Sequence, residues 1–559
     1  MNRPQEILVQ NLDHLGIVAG IIDEISLVEQ VNQLVGQQPG EIVSPGQVVK
    51  AIILNGLGFV SAPLYLFSGF FEGKATEHLI GNGVRPEHLN DDRLGRIMDK
   101  LYIKGLSQLF TLIALAAARK YGVSTKSSHL DSSSFHLHGK YENNLPKVTF
   151  IKGELNPNNP KGSEVEETIA QHPIEITYGY SRDHRPDLKQ FILDLICSGD
   201  ADVPLFLRVA DGNEADNAVF GQILCEFKKQ VTLDSLMVAD SALYSASNLA
   251  MMVSLKWLCR VPLTVKQAKE LVSHLRDEQL SNSATPGYRY AEHKSNYGGI
   301  EQRWLVVESQ ARLQSDLRQM EQQVSKSQKE AQKKLQQLCE EEFTCPVAAI
   351  EVAQRFGKKL KYHRLTDIEA VELPADLRKQ ESIPFGSSQK ITYRIRATLV
   401  RDESVIEQEK RRAGRFVLAT NVLDIKQLSP DEMLQEYKAQ QSAERGFGFL
   451  KDPLFFTDSV FLKSPERVEA MAMLMGLCLL IYTLGQRQMR QALEQAHSGL
   501  KNQLGKLTQR PTLRWIFQCF QAVHLLIVNG VKQISNLTDE RLGILQFFPD
   551  TCRYYYLLL

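Results

Sequence analysis

Near residue 125 the apolar residues of this 559-residue chain stop repeating at helical spacing and begin to alternate as in strands. A bundle of helices alone and a sandwich of strands alone are both excluded, because each keeps one period throughout. Before the switch the signals are helical. Ser44-Pro45 supplies an N-cap and first-turn proline ahead of VVKAIILNGLGFV, and Asn90-Asp91-Asp92 caps a segment with Leu94, Ile97, Met98 and Leu101 on one face. Leu106 to Arg119 is almost wholly apolar and must be buried. After the switch, strands are expected at 128–137, 174–181 and 203–210. A helix over 213–229, a strand over 233–240, a helix over 241–253 and a strand over 254–262 follow. Three strands and then alternation with helices predict an α/β fold with one mixed sheet.

From about 263 to 411 the character changes again. Residues 309–343 are rich in Gln, Lys and Glu, and positions 313, 317, 320, 324, 327, 331, 334 and 338 carry a weak heptad stripe, enough for a coiled-coil or helical-hairpin element. Strand-like runs at 301–309 and 390–400 flank it. This segment reads as a β-plus-helix insertion, after which a buried strand (414–421) and a helix starting at Ser429-Pro430 resume the α/β pattern. The expected organisation is a helical domain (1–125), a catalytic core in two pieces (126–262 and 412–490), the insertion (263–411) and a helical C-terminal region (491–559).

Composition narrows the function classes. With 65 Lys+Arg against 65 Asp+Glu the net charge is zero, so polyanion binding would have to come from local patches. Eight cysteines with no CxxC pair argue against a zinc ribbon, and the N-terminus lacks the apolar run of a secretory signal, so a cytoplasmic protein is expected. Ala470 to Gln486 is uncharged but short for a bilayer span, and reads as a core helix rather than a membrane anchor. His136 and His138 alternate on a strand but have no third ligand at metal spacing.

Three carboxylates occupy telling places. Asp131 lies in the first predicted strand, Asp240 ends the fourth, and Glu444 lies on the helix after strand 415–420. If the two strands are neighbours and the helix crosses them, the carboxylates converge and offer oxygen ligands suited to Mg²⁺ or Mn²⁺. Two such ions serve phosphodiester displacement. An Asp after a strand also commonly serves as a turn or cap residue. Tyr437, Gln440, Glu444 and Lys451 fall at intervals that put all four on nearly one face of a helix, which fits either a phosphate-holding metal site or a polar outer face.

The pattern Tyr437-x2-Gln440-x3-Glu444-x6-Lys451 resembles the Tyr-x2-Arg-x3-Glu-x6-Lys motif of bacterial insertion-sequence transposases with an RNase H-like core and an Asp-Asp-Glu active site. Leu130-Asp131-Ser132-Ser133, Val238-Ala239-Asp240-Ser241-Ala242 and the stretch Gly179 to Gln190 are similar to other segments of that family, in the same order. Gln440 stands where Arg is usual, keeping a hydrogen-bond donor and losing the fixed charge. The resemblance implies that Asp131, Asp240 and Glu444 are catalytic and hold Mg²⁺, with Mn²⁺ as a substitute. It also implies that Tyr437, Gln440 and Lys451 contact DNA phosphates. The activity implied is cleavage of double-stranded DNA at element ends and strand transfer into target DNA, by at least a dimer in the bacterial cytoplasm, associated with the nucleoid. A nuclease without strand transfer and an inactive DNA-binding scaffold are the alternatives. Arg487, Arg490, Lys501, Lys506, Arg510 and Arg514, against the single Glu494, form the expected DNA-backbone patch, with Lys410-Arg411-Arg412 as a second.

Overall fold

The computed structural model describes residues 7–59, 66–139, 141, 172–181, 183–231, 234–373, 391–452 and 462–558. They divide into two compact units, one of residues 1–259, 298–300 and 436–559, the other of residues 260–297 and 301–435.

The first unit is built on a mixed sheet. Its core strands are Ser127–Leu137 (first), Lys189–Ser198 (second), Pro204–Ala210 (third), Leu236–Ala239 (fourth) and Lys256–Val261 (fifth, which begins in this unit). They lie in the order third, second, first, fourth, fifth. The first three are antiparallel, and the fourth and fifth run parallel to the first. This is an RNase H-like core. Parallel neighbours need a crossover, and the helices Asp216–Gln230 and Ala246–Met251 supply it. Both faces are covered. Phe206 meets Phe227 of the first crossover helix, with ring centroids 5.8 Å apart. Its neighbour Leu207 points the other way, to Phe110 and the long helix Pro465–Gln495 at Gly476.

Two strand assignments differ from the sequence expectation. Residues 174–181 make only an isolated bridge, Thr177 to Gln190, and the expected strand is absent there. The second core strand, KQFILDLICS, is instead the partner of the first. It is buried on both faces, and its apolar residues lie on both sides of Asp194 without the alternation that marks a half-exposed strand.

The uncharged stretch lies within Pro465–Gln495, which by length and composition could cross a membrane; 83% of its most apolar window is buried against protein. A Cβ on Gly476 would stand 2.3 Å from Leu207, and one on Gly485 would stand 2.5 Å from Ile21. The same helix therefore packs on the core sheet and on the N-terminal helices.

The helical flanks interlock and carry strands as well. Ile7–Asn11 pairs with His524–Val528, which pairs with Val531–Ser535. Asn529 and Gly530, both at positive φ, join the latter two, an Asn-Gly turn of the kind that matches the twist of paired strands. Helix Leu15–Glu24 lies against Asp550–Leu557 so closely that a Cβ on Gly20 would stand 2.3 Å from the Cα of Cys552. Lys50, buried among these helices, lies 2.5 Å from Asp23 and 2.9 Å from the Tyr555 hydroxyl.

In the second unit, strands Arg415–Thr420, Ile300–Ser309, Tyr288–Tyr297 and Ser281–Asn282 lie side by side in that order. A 31-residue helix, Gln310–Glu340, follows. Its heptad stripe is used inside the unit. Met320 and Val324 pack with Tyr362 and Ile406, and Leu338 packs with Ala349, Ala353 and Ile395 of a helix and strand hairpin. The stripe is therefore not an open coiled-coil seam.

The close approach at Gly20 gives a stability prediction. Gly20→Ala should destabilise by about 1–3 kcal/mol, the usual cost of an added methyl in a filled contact. Gly543→Ala, where a methyl meets nothing within 4 Å in helix Asp539–Leu545, should be neutral or stabilise by about 0.5–1 kcal/mol. Urea unfolding midpoints read both.

Candidate active site

Strand pairing sets the strand of Asp131 beside the strand that ends just before Asp240. Ser127 stands opposite Leu236, Ser128 opposite Met237 and His129 opposite Val238 in the parallel pair. The last recorded pair is His129 with Val238, and the offset of 109 residues is also the separation of Asp131 from Asp240, each two positions beyond that pair. Adjacent strands are about 4.8 Å apart, and equivalent positions share a face. The buried Oγ atoms of Ser128 and Ser235, 2.9 Å apart, tie the two strands at this register. Both aspartates are half-buried. Asp131 Oδ1 accepts the Ser132 N–H at 2.8 Å. Asp240 Oδ1 accepts the Ala242 N–H at 2.8 Å, so Asp240 also caps the short turn Ser241–Leu243.

Glu444 comes from helix Gln441–Leu450, which packs on the first and second core strands through Ala443, Gly446, Phe447 and Leu450. A Cβ on Gly446 would lie 3.6 Å from Leu195 and 4.0 Å from Cys197 Sγ. Leu195 is the cross-strand partner of Asp131 and Cys197 that of His129. The turn carrying Glu444 thus lies over the stretch of sheet carrying Asp131, on the same face. Glu444 itself is exposed. Next to it, Arg445 makes a bidentate pair with Asp202, at 2.6 and 2.7 Å, and ties the helix start to the turn after the second strand. At the far end Phe447 packs on Phe135, with ring centroids 6.5 Å apart. Lys451 Nζ lies 5.3 Å from the centre of the Phe135 ring and 2.6 Å from Asp183.

Three carboxylates on one face are the donor type that hard divalent cations take. Among the described residues, no three His, Cys, Asp or Glu side chains stand together as a ready metal-ligand group.

Two features of this site were missed in the sequence. On the opposite face, Ser132, Asp194 and Arg208 are cross-strand neighbours. Ser132 Oγ donates to Asp194, Arg208 reaches Asp194 at 2.9 Å, and Arg208 holds Glu214 at 2.9 and 2.7 Å. Burial pushes the Asp194 carboxyl up to about 6 against the pull of Arg208. The second is His129, fully buried two positions before Asp131. Burial lowers its pKa to about 4, which keeps it neutral at pH 7, and its Nε2 stands 3.7 Å from Glu436, beyond hydrogen-bond length. Neither feature has a local signature, because Ser132 meets Asp194 across 62 residues and His129 faces Glu436 on a distant helix.

The helix expected to carry Tyr437, Gln440, Glu444 and Lys451 on one continuous face is broken. Pro430–Ala439 ends one residue before Gln440, and Gln441–Leu450 begins one residue after. Across the break the bonds tighten to three-residue spacing, Gln440 N–H to Tyr437 O at 3.2 Å and Ala443 N–H to Gln440 O at 3.3 Å. Lys451 is the C-cap of the second helix.

In sequence comparison, a family described as the transposase DDE domain matches residues 130–481. A family described only as a domain of unknown function matches residues 7–115. No curated protein matches the chain. Among solved structures, the chain is similar to a piggyBac transposase synaptic complex with hairpin DNA. That match has 8% identity and a TM-score of 0.36, over 97% of this chain and 80% of that one.

The expected basic patch is dispersed by the fold. Arg487 is buried and holds Asp200 at 2.6 and 3.1 Å, with further bonds to Tyr121 O at 2.7 Å and Gly122 O at 3.0 Å. Arg490 donates to Pro511 O at 2.9 Å, and Arg514 pairs with Asp452 at 2.7 Å. Lys501, Lys506 and Arg510 are exposed on and beside a small hairpin, Leu500–Lys501 with Leu507–Thr508, where a basic helix was expected. Arg487 therefore fastens the turn before the first core strand to the turn after the second. Arg487→Ala should cost about 2–4 kcal/mol of stability, since it strands a partly buried carboxylate and two carbonyls. The salt dependence of DNA binding should not change at temperatures where the variant is folded. Denaturant unfolding and a salt-series titration check the two halves.

Proposed function

Since the chain belongs to the family of transposases built on a DDE domain, we propose that it cuts double-stranded DNA at the ends of its element and joins the freed ends to target DNA. The reading is supported by the parallel pairing of the strand of Asp131 with the strand that Asp240 directly follows, and by the packing of the Glu444 helix on the strand of Asp131. Asp131, Asp240 and Glu444 would hold the divalent cation, Mg²⁺ with Mn²⁺ as substitute. When bound, a pair of such ions activates a water or a 3′-hydroxyl for in-line attack and stabilises the leaving oxygen. In the first reaction water attacks phosphorus and a 3′-hydroxyl leaves. In the second that 3′-hydroxyl attacks a target phosphodiester, one bond forming as one breaks, so no outside energy source is needed.

The chain's own groups supply position. Lys451 and Tyr437 lie at the two ends of the Glu444 helix region and would grip phosphates beside the scissile bond. Gln440, at the helix break, offers an amide donor in the same stretch. Arg510, with Lys501 and Lys506, is the better candidate for a DNA-backbone contact; Arg487, Arg490 and Arg514 are engaged within the protein. Cutting and joining two ends in concert calls for at least a dimer on DNA, acting where chromosomal DNA lies in the bacterial cytoplasm.

The test uses a labelled duplex spanning the boundary of the DNA that flanks the gene, with Mg²⁺ or EDTA, for the wild type and Asp240→Asn. Asparagine keeps an acceptor for the Ala242 N–H and removes the charge. Cleavage at the boundary that needs Mg²⁺ and falls about 10³-fold in Asp240→Asn is expected, matching the several kcal/mol that metal-ion stabilisation contributes. Binding without cleavage in the wild type would leave a scaffold protein and end the catalytic assignment.

A further inference from the structure

Resting on the phosphate role given above to Lys451, we propose that Asp183 is a positioning residue that sets the Lys451 ammonium in place before DNA arrives. Lys451 Nζ is held between the Asp183 carboxylate, at 2.6 Å, and the face of Phe135, 5.3 Å from its centre. A lysine side chain otherwise rotates freely, and fixing it in advance lowers the cost of binding. An ammonium carries three donors. Among the described residues Asp183 takes one, which leaves others for a phosphate.

Asp183 is itself fixed. At one end of its segment a Cβ on Gly179 would stand 2.0 Å from Gly212 O, so the two backbones touch. Gln190 Nε2 at the other end donates to Tyr180 O at 3.2 Å and Gly212 O at 2.7 Å. Between them Ser181 Oγ accepts the Arg185 N–H at 2.7 Å and lies 2.9 Å from His136 Nε2. These ties, at residues 179–181 and at Gln190, flank residue 183, and on this proposal the acid serves the lysine and does not act as a removable mask. The neighbours leave it to that task. His136 Nδ1 is 3.6 Å from Asp183, and burial holds its pKa below the ordinary value. Arg185 pairs with Asp187 at 2.9 and 2.8 Å. The stretch Gly179 to Gln190, which contains no catalytic carboxylate, then has a purpose: it is the mount for Lys451.

The test is binding of a fluorescein-labelled duplex of the flanking DNA, followed by anisotropy over a salt series in EDTA. The proteins are full-length wild type, Lys451→Ala, Asp183→Asn, Asp183→Glu and the Lys451→Ala/Asp183→Asn double variant. Lys451→Ala should weaken binding and flatten the slope of log K against log salt by about 0.9. Asp183→Asn should weaken binding about threefold to tenfold, although it removes a negative charge, because the lysine must then be ordered by the DNA itself. Asp183→Glu should recover part of the loss, and Asp183→Asn should add nothing once Lys451 is gone. Tighter binding by Asp183→Asn overturns the proposal and makes the acid a mask. An equal loss with and without Lys451 also overturns it, since that marks a role in the fold, which a lowered unfolding midpoint would register. Weakened Lys451→Ala beside unchanged Asp183→Asn overturns this proposal alone. Lys451→Ala that binds like the wild type overturns the phosphate role and this proposal with it.

Discussion

The parallel pairing of Ser127–Leu137 with Leu236–Ala239 is the constraint on which the rest of the site depends. Side chains alternate with period two, so a slip of one residue would send Asp131 to the face that carries Ser132, beside Asp194 and Arg208. The two faces are chemically unequal. On one, Asp194 is closed off by Ser132 and Arg208, and Arg208 by Glu214. A second carboxylate driven into that buried network would go without a partner, a costly arrangement. On the other face the aspartates stay half-buried beneath an exposed Glu444. The charges of that network are matched within the sheet, while the carboxylates proposed for chemistry belong to the half-buried and exposed positions of the other face.

That separation requires the Glu444 helix to be held from outside the carboxylate set. Arg445 ties its start to Asp202, Phe447 beds on Phe135, and Gly446 lets it approach Leu195 and Leu479. Leu479 belongs to Pro465–Gln495, whose lack of charge over Ala470–Gln486 follows from its surroundings. It lies against Leu207 of the sheet, Phe110, Ile21 and Leu513, and most of that stretch is buried. One helix thus ties the sheet, the flanking helices and the Glu444 helix into one body.

Much of this was legible in the sequence, for reasons that are local. Asp131 and Asp240 stood out as candidates because one lies within a strand and the other directly after one, and Glu444 because Tyr437, Gln440 and Lys451 fall at helical intervals from it, although the helix breaks at Gln440. The five-strand core was legible except for its second strand. That strand is buried on both faces, so it shows no alternation, while IEITYGYS alternates and yet makes only a single bridge. The hairpin at 524–535 was announced by Asn529-Gly530 between two β-rich runs, a signal that the helical reading of the C-terminal region passed over. The break at Gln440 has no such marker, since neither Gly nor Pro stands there.

The arginines show why surface charge was the least legible property. Arg487 meets Asp200 across 287 residues, Arg445 meets Asp202 across 243, and Arg467 meets Asp99 across 368. A basic run counted along the chain takes in such residues as though each faced solvent. Their acids arrive through space, and a guanidinium held bidentate by a carboxylate has little left to offer a phosphate. In a chain with 65 cations and 65 anions, the cations that can serve DNA are those the fold has not already matched. Residues such as Arg510 and the hairpin lysines qualify by exposure. Lys451 is a different case, matched to Asp183 on one side and still carrying donors for a second partner.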